Sequence, residues 1–159
     1  MPSEVDPSAR LSALVQPGVK TLLDVLSITI EEASGQRVVM TMPVDWHVHQ
    51  PFGYLHGGAS AVLAESAASI GGQLALADPL SQGVMGIELN MSHLRSMREG
   101  TLRAEATPVR VGRTTMVWQI ALTDQAGRAI ATSRCTLAVV SRQRSTPPDQ
   151  AMAGPSKTR

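Results

Sequence analysis

Aromatic side chains are nearly missing from this chain of 159 residues, which has one Phe, one Tyr and two Trp. That scarcity leaves no surface of interleaved rings and cations on which nucleobases could stack. Charge is sparse too: 17% of residues are Asp, Glu, Lys or Arg and the net charge is +1, so no strong field draws a polyanion to the chain. The local basic excess, Arg142, Arg144, Lys157 and Arg159, sits near the end of the sequence. A nucleic-acid partner is not expected. Cysteine is limited to Cys135, which rules out an internal disulfide and fits a reducing compartment. No apolar run approaches the roughly 20 residues that span a bilayer. Residues 1–7 contain neither a basic n-region nor an apolar h-region, so the reading is a cytoplasmic protein without a membrane segment.

What the chain does have is aliphatic bulk. With 43% hydrophobic residues it can build one core, and its length suits one domain. Residues 1–20 hold prolines at 2, 7 and 17 around Leu11, Leu14 and Val15, and read as a flexible arm with a turn or two of helix. Residues 143–159 are rich in Pro, Ser and Gln without apolar periodicity, and read as a disordered tail. The domain is therefore placed at 21–142. Within it, 26–32 and 37–44 are β-type runs joined by the short Gly-containing link 33–36, a hairpin signal. The segment from Gly58 to about Ala77 is alanine-rich and helical, with an apolar stripe at Ala59, Leu63, Ala67, Ile70 and Leu74. Its other faces are small or apolar as well, so this helix should be enclosed. After Pro79 the period changes to two: 83–92, 101–111, 114–123 and 128–140 read as strands, with Met116, Trp118, Ile120 and Leu122 alternating against Val117, Gln119 and Ala121. Short links at 98–100, 112–113 and 124–127 predict that these four strands form an antiparallel meander. The fold class expected is α+β, a curved antiparallel sheet wrapped around a central helix, without internal repeats.

The segment Gln50-Pro-Phe-Gly-Tyr-Leu-His-Gly-Gly-Ala-Ser-Ala-Val-Leu-Ala-Glu65 carries the chemistry. His56-Gly57-Gly58 supplies backbone N–H groups at a helix start, where the helix dipole favours a developing oxyanion. Glu65 follows among Ala, Val and Leu, where burial would raise its pKa toward that of a general base. Each residue also has a structural reading: Glu65 as a solvated helix residue, His56 as a helix cap, and Gly57-Gly58 as a close-packing point. His47 and His49 could face one side of a strand, but no third ligand stands at a recognisable spacing, so no metal or cofactor is expected. Cys135, beside Thr136, Leu137 and Val139, reads as core. Ser66 next to Glu65 and Ser60 four residues after His56 lie outside any nucleophile elbow, so no Ser-His-Asp set is assigned. Arg95, Arg98 and Arg113 are solvated turn charges or phosphate ligands.

That segment, followed by His93-Leu-Arg-Ser-Met-Arg-Glu-Gly100, resembles the hotdog-fold acyl-CoA thioesterases over about residues 22–140. The branch is that of the glutamate-type 4-hydroxybenzoyl-CoA, 1,4-dihydroxy-2-naphthoyl-CoA and enterobactin-proofreading thioesterases. The resemblance implies hydrolysis of acyl-CoA, with aryl or other bulky acyl groups. Coenzyme A is then part of the substrate and no other cofactor is needed. By the same resemblance Glu65 is nucleophile or general base, the Gly57 N–H binds the thioester oxygen with Gln50 or His56, and Ser69 holds the attacking water. Gly86, the segment His93, Leu94, Arg95 and Ser96, and the turn Arg110, Val111, Gly112, Arg113, Thr114 and Thr115 match positions along the CoA path. The site would lie between two subunits of a homodimer or dimer of dimers, which a short chain with open sheet edges also favours. The alternatives are a non-catalytic acyl-CoA-binding hotdog module, a thioesterase for acyl-carrier protein and, less well matched, a hotdog dehydratase.

Overall fold

A computed structural model describes residues 18–142; the expectations for residues 1–17 and 143–159 lie outside that range. The first described element is a short helix, α1 (Leu22–Val25), which the sequence reading did not foresee. Its start is held by Asp24, whose Oδ2 accepts from the Thr21 N–H at 2.7 Å. Strands β1 (Thr29–Ala33) and β2 (Val38–Val44) follow as the expected hairpin. A 3-10 turn, Trp46–Val48, leads to the glycine segment and to helix α2 (Gly57–Leu74). Strands β3 (Gln82–His93), β4 (Gly100–Val111), β5 (Thr115–Thr123) and β6 (Ala129–Ser141) complete the chain.

All six strands form one antiparallel sheet in the order β1-β2-β4-β5-β6-β3, and α2 packs on its inner face. This corrects the meander. Strands β4, β5 and β6 are consecutive neighbours, but β3 lies at the far edge beside β6. The physical reason is the 94–99 link, which is no tight turn: the Leu94 and Arg95 N–H groups both donate to the Ile130 carbonyl, and the Met97 carbonyl accepts from Leu55 N–H. The chain thus runs past the start of β6 and the approach to α2 before it enters β4.

The buried side of α2 consists of Ser60, Leu63, Ala64, Ala67, Ala68, Gly71, Gly72 and Leu74. It is rotated from the stripe read in the sequence, because the two glycines face inward. A Cβ on Gly71 would lie 2.5 Å from the Trp118 ring, and one on Gly72 would lie 2.4 Å from Leu137. Small residues therefore let the largest core side chain sit beneath the helix. The helix also ends earlier than expected, at Leu74, where Gly35 of the β1–β2 turn packs against the Ala75 backbone. Pro79 then discourages a further turn.

Candidate active site

The approach to α2 is pinned from three sides. The Gln50 N–H donates to the Tyr54 carbonyl at 2.8 Å, Leu55 N–H to the Met97 carbonyl at 2.7 Å and His56 N–H to the Val48 carbonyl at 2.8 Å. Helix starts leave their first N–H groups without intrahelical acceptors. Here His56 is the N-cap, and its Nδ1 accepts from Gly58 N–H at 2.8 Å. The Ala59 and Ser60 N–H groups both donate to the His56 carbonyl. Gly57 N–H is left with no acceptor among the described residues. Accepting at Nδ1 makes the neutral His56 ring a donor at Nε2.

Gly57 lines a cavity of about 470 Å3, together with Gln50, Tyr54 and Ser60 and the segment from His93 to Met97. Two donors converge there. Gln50 uses its Oε1 to accept from Phe52 N–H, which leaves its amide NH2 group to donate. His93 packs directly on the helix start, so closely that a Cβ on Gly57 would lie 2.8 Å from its Nε2. A larger residue at 57 would have to push the exposed His93 ring aside. His56, by contrast, turns to the other side of α2, where it borders a shallower depression with His47, His49 and Leu26.

Glu65 does not share the Gly57 cavity. Eight residues of helix separate it from Gly57, a rise of about 12 Å. It is exposed rather than enclosed, contrary to the expectation from its apolar neighbours, because it lies off the sheet-facing stripe. Its carboxylate rests on β3 instead: a Cβ on Gly86 would lie 2.6 Å from Glu65 Oε1. Beside it the β3–β6 register slips between Gly86 and Glu88, a bulge that places Ile87 outside the regular pairing. Ser69, one turn further along α2, is half-buried on the same side as Glu65.

The remaining residues picked from sequence form a third group. The turn from Arg110 to Thr115 closes with Gly112 N–H donating to the Thr115 carbonyl at 3.0 Å, and a Cβ on Gly112 would meet that oxygen at 2.6 Å. Val111, Gly112 and Arg113 border a cavity of about 300 Å3 with Ala75, Leu76 and Gln82, at the C-terminal end of α2. Within one chain this turn is therefore not brought together with the segment from His93 to Ser96. The paired histidines form no strand face: His47 belongs to the 3-10 turn and binds Asp45 through Nδ1 at 2.9 Å, while His49 Nε2 meets the Arg98 carbonyl at 2.7 Å. Among the described residues no three His, Cys, Asp or Glu side chains group as metal ligands. Cys135 is fully buried in β6, and burial pushes its thiol up to about 11, which suits core and not a nucleophile.

A helix start with a free N–H, a cavity beside it and a carboxylate on the same helix is the frame on which the sequence comparisons bear. The family pattern described as the thioesterase superfamily matches residues 52–131. The chain belongs to that superfamily. The putative esterase ComA2 of Bacillus subtilis is 53% identical over 120 residues, covering 76% of this thioesterase and 94% of that protein. The 1,4-dihydroxy-2-naphthoyl-CoA hydrolase of Escherichia coli K12 is 42% identical over 130 residues, covering 82% and 94% of the two chains. Among solved structures, two variants of a Staphylococcus aureus protein are similar. A glutamate-to-alanine variant matches at TM-score 0.74 and 35% identity, over 77% of this chain and 100% of that one. A glutamine-to-alanine variant matches at TM-score 0.72 and 36% identity, over 74% and 97%. The fold is the hotdog fold, and the protein is a thioester hydrolase. The cavity of the thioesterase is also lined by Tyr54, Leu55, Ser60, Met97 and Ile130, which sequence reasoning did not select as site residues. Tyr54, Leu55 and Ser60 lie inside the glycine segment and Met97 inside the segment from His93 to Gly100, so their places in the sequence pointed to them; Ile130, far away in sequence, carried no such signal.

Proposed function

We propose that the protein hydrolyses acyl-CoA thioesters at a site assembled from two copies of the chain. The observation that carries this reading is the separation of the two halves of the chemistry: an unpartnered Gly57 N–H beside the Gln50 amide in one cavity, and Glu65 exposed about two turns away on the same helix. No thioester carbonyl could touch both within one chain. Two antiparallel α2 helices crossing near Ala61 would place Glu65 beside Gly57 of the partner subunit, because each is four residues from the crossing point. The same arrangement would carry the partner's Arg110 to Thr115 turn toward the cavity end of the first helix. The outer edge of β3, with Met85 and Ile87 about 60% exposed, offers a strand to pair across the same axis.

In that assembly the thioester oxygen accepts from Gly57 N–H and the Gln50 amide, and charge develops on it as the carbonyl carbon is attacked. Glu65 either removes a proton from a water that Ser69 holds, or attacks directly to form an anhydride that water then cleaves. In both routes the C–S bond breaks, the CoA sulfur leaves with the electron pair and is protonated, and the acid is released. His93 braces the oxyanion donor through its contact with Gly57, and Arg95 and Arg113 would bind the phosphates of CoA. The similarity to the Escherichia coli 1,4-dihydroxy-2-naphthoyl-CoA hydrolase supports an acyl-CoA substrate with an aryl group. The two substituted positions of the Staphylococcus aureus protein lie fifteen residues apart, the spacing of Gln50 and Glu65 here. Replacing Glu65 with Gln is expected to lower kcat on aryl-CoA esters by about 10³-fold or more with little change in KM, as for a group that acts on the transition state. Near wild-type turnover in the folded Glu65→Gln variant would overturn the assignment.

A further inference from the structure

Ser60 stands on the sheet-facing side of the first turn of α2, 1% exposed, and borders the same cavity as Gly57 and Gln50. Its Oγ has no hydrogen-bond partner among the described residues. A hydroxyl buried without a partner costs stability, and alanine would fit the same space without that cost. Leu55, Met97 and Ile130 of the lining are apolar, and none of its polar residues, Gln50, Tyr54, His93, Arg95 and Ser96, bonds to the hydroxyl. What it lacks is a polar atom delivered from outside. Resting on the hydrolase reading above, an acyl group whose thioester oxygen sits at Gly57 N–H extends into this cavity. Ser60, three residues on, is about 4.5 Å further along the helix axis. That is the reach of a substituent on a ring or a short chain.

We propose that the Ser60 hydroxyl is a specificity-determining anchor that hydrogen-bonds a polar oxygen on the acyl group, so that the cavity selects acyl groups carrying a hydroxyl or carbonyl substituent over their unsubstituted counterparts. Sites built to bond a substrate hydroxyl discriminate strongly against the analogue that lacks it, because the buried partner is then left unpaired.

The test compares phenacyl-CoA, a thioether that cannot be hydrolysed, with its 2-, 3- and 4-hydroxy isomers. Affinities are measured by calorimetry on wild type, Ser60→Ala and Ser60→Cys, alongside kcat/KM for the corresponding benzoyl-CoA thioesters. At least one hydroxy isomer is expected to bind wild type about tenfold more tightly than phenacyl-CoA. In both variants that advantage should shrink to roughly twofold or less, with the affinity for phenacyl-CoA little changed. Ser60→Ala should also melt a few degrees higher, since it removes an unsatisfied hydroxyl. No advantage for any isomer in wild type, or equal losses for substituted and unsubstituted ligands in the variants, would overturn the proposal. A binding advantage that depends on Ser60 without any thioester turnover would support the anchor and refute hydrolysis. Turnover without the advantage would do the reverse.

Discussion

On the sheet side of α2, Leu63, Ala64, Ala67 and Ala68 are fully covered by one chain, and the glycines at 71 and 72 admit Trp118 and Leu137 at contact distance. On the opposite side the same helix presents exposed Glu65 and only half-buried Val62, Ser69 and Ile70 among the described residues. One side is finished by folding and the other is not. The difference assigns roles: packing energy is concentrated where the helix meets the sheet, and the carboxylate is kept where it adds nothing to the core. Substitutions on the two sides should accordingly separate stability from turnover.

The largest expected effect falls on the open side. Adding a methyl group at Gly86, where a Cβ would lie 2.6 Å from Glu65 Oε1, must displace the carboxylate. Gly86→Ala should lower kcat by about 10²-fold, as for a misplacement of roughly 1 Å, with the melting temperature nearly unchanged. A large loss of stability with normal turnover would place Glu65 with the core and erase the contrast. On the closed side, Gly71→Ala drives a methyl group into the Trp118 ring. Overpacking costs about 1–3 kcal/mol and the gain in helix propensity returns up to about 1 kcal/mol. A fall in melting temperature of roughly 5 °C is expected, with turnover per folded molecule preserved.

The smallest effect lies on the outer face of the sheet, away from α2. Glu105 accepts from Arg37 Nε at 3.0 Å and pairs with Arg103 at 2.8 Å, and these bonds hold its carboxyl down at about 2. A carboxyl whose folded pKa is depressed adds stability that is present above its unfolded value and is lost as pH falls through the folded one. Denaturant midpoints should therefore fall between about pH 4.5 and pH 2, and Glu105→Gln should flatten that fall by under about 1 kcal/mol, as for an exposed pair. Turnover near neutrality should not respond.

Much of the architecture was legible because it is written in local periods. The alternation of Met116, Trp118, Ile120 and Leu122 marks β5 directly, and all four are buried. Strand order was not legible, since the place of β3 depends on where residues 94–99 run, and that is decided by bonds to Ile130 and Leu55 far away in sequence. The His56 cap and the glycine start of α2 could be read because capping chemistry is local. The exposure of Glu65 could not, because apolar neighbours in sequence say little about which side of a helix meets the sheet. The contact of His93 with Gly57 was equally hidden: it joins the end of β3 to the start of α2 through tertiary packing alone.

The central claim, that the Gly57 cavity of one chain works with Glu65 of another, is tested most directly by complementation. Glu65→Gln and Gln50→Ala, each nearly inactive alone, would be co-expressed so that mixed dimers form. In a two-fold dimer with shared sites, each mixed dimer holds one site free of both substitutions, so roughly a quarter of wild-type activity should return. Activity that stays at the level of the separate variants, in preparations shown to contain mixed dimers, would mean that Gln50 and Glu65 serve a site within one chain and would contradict the account.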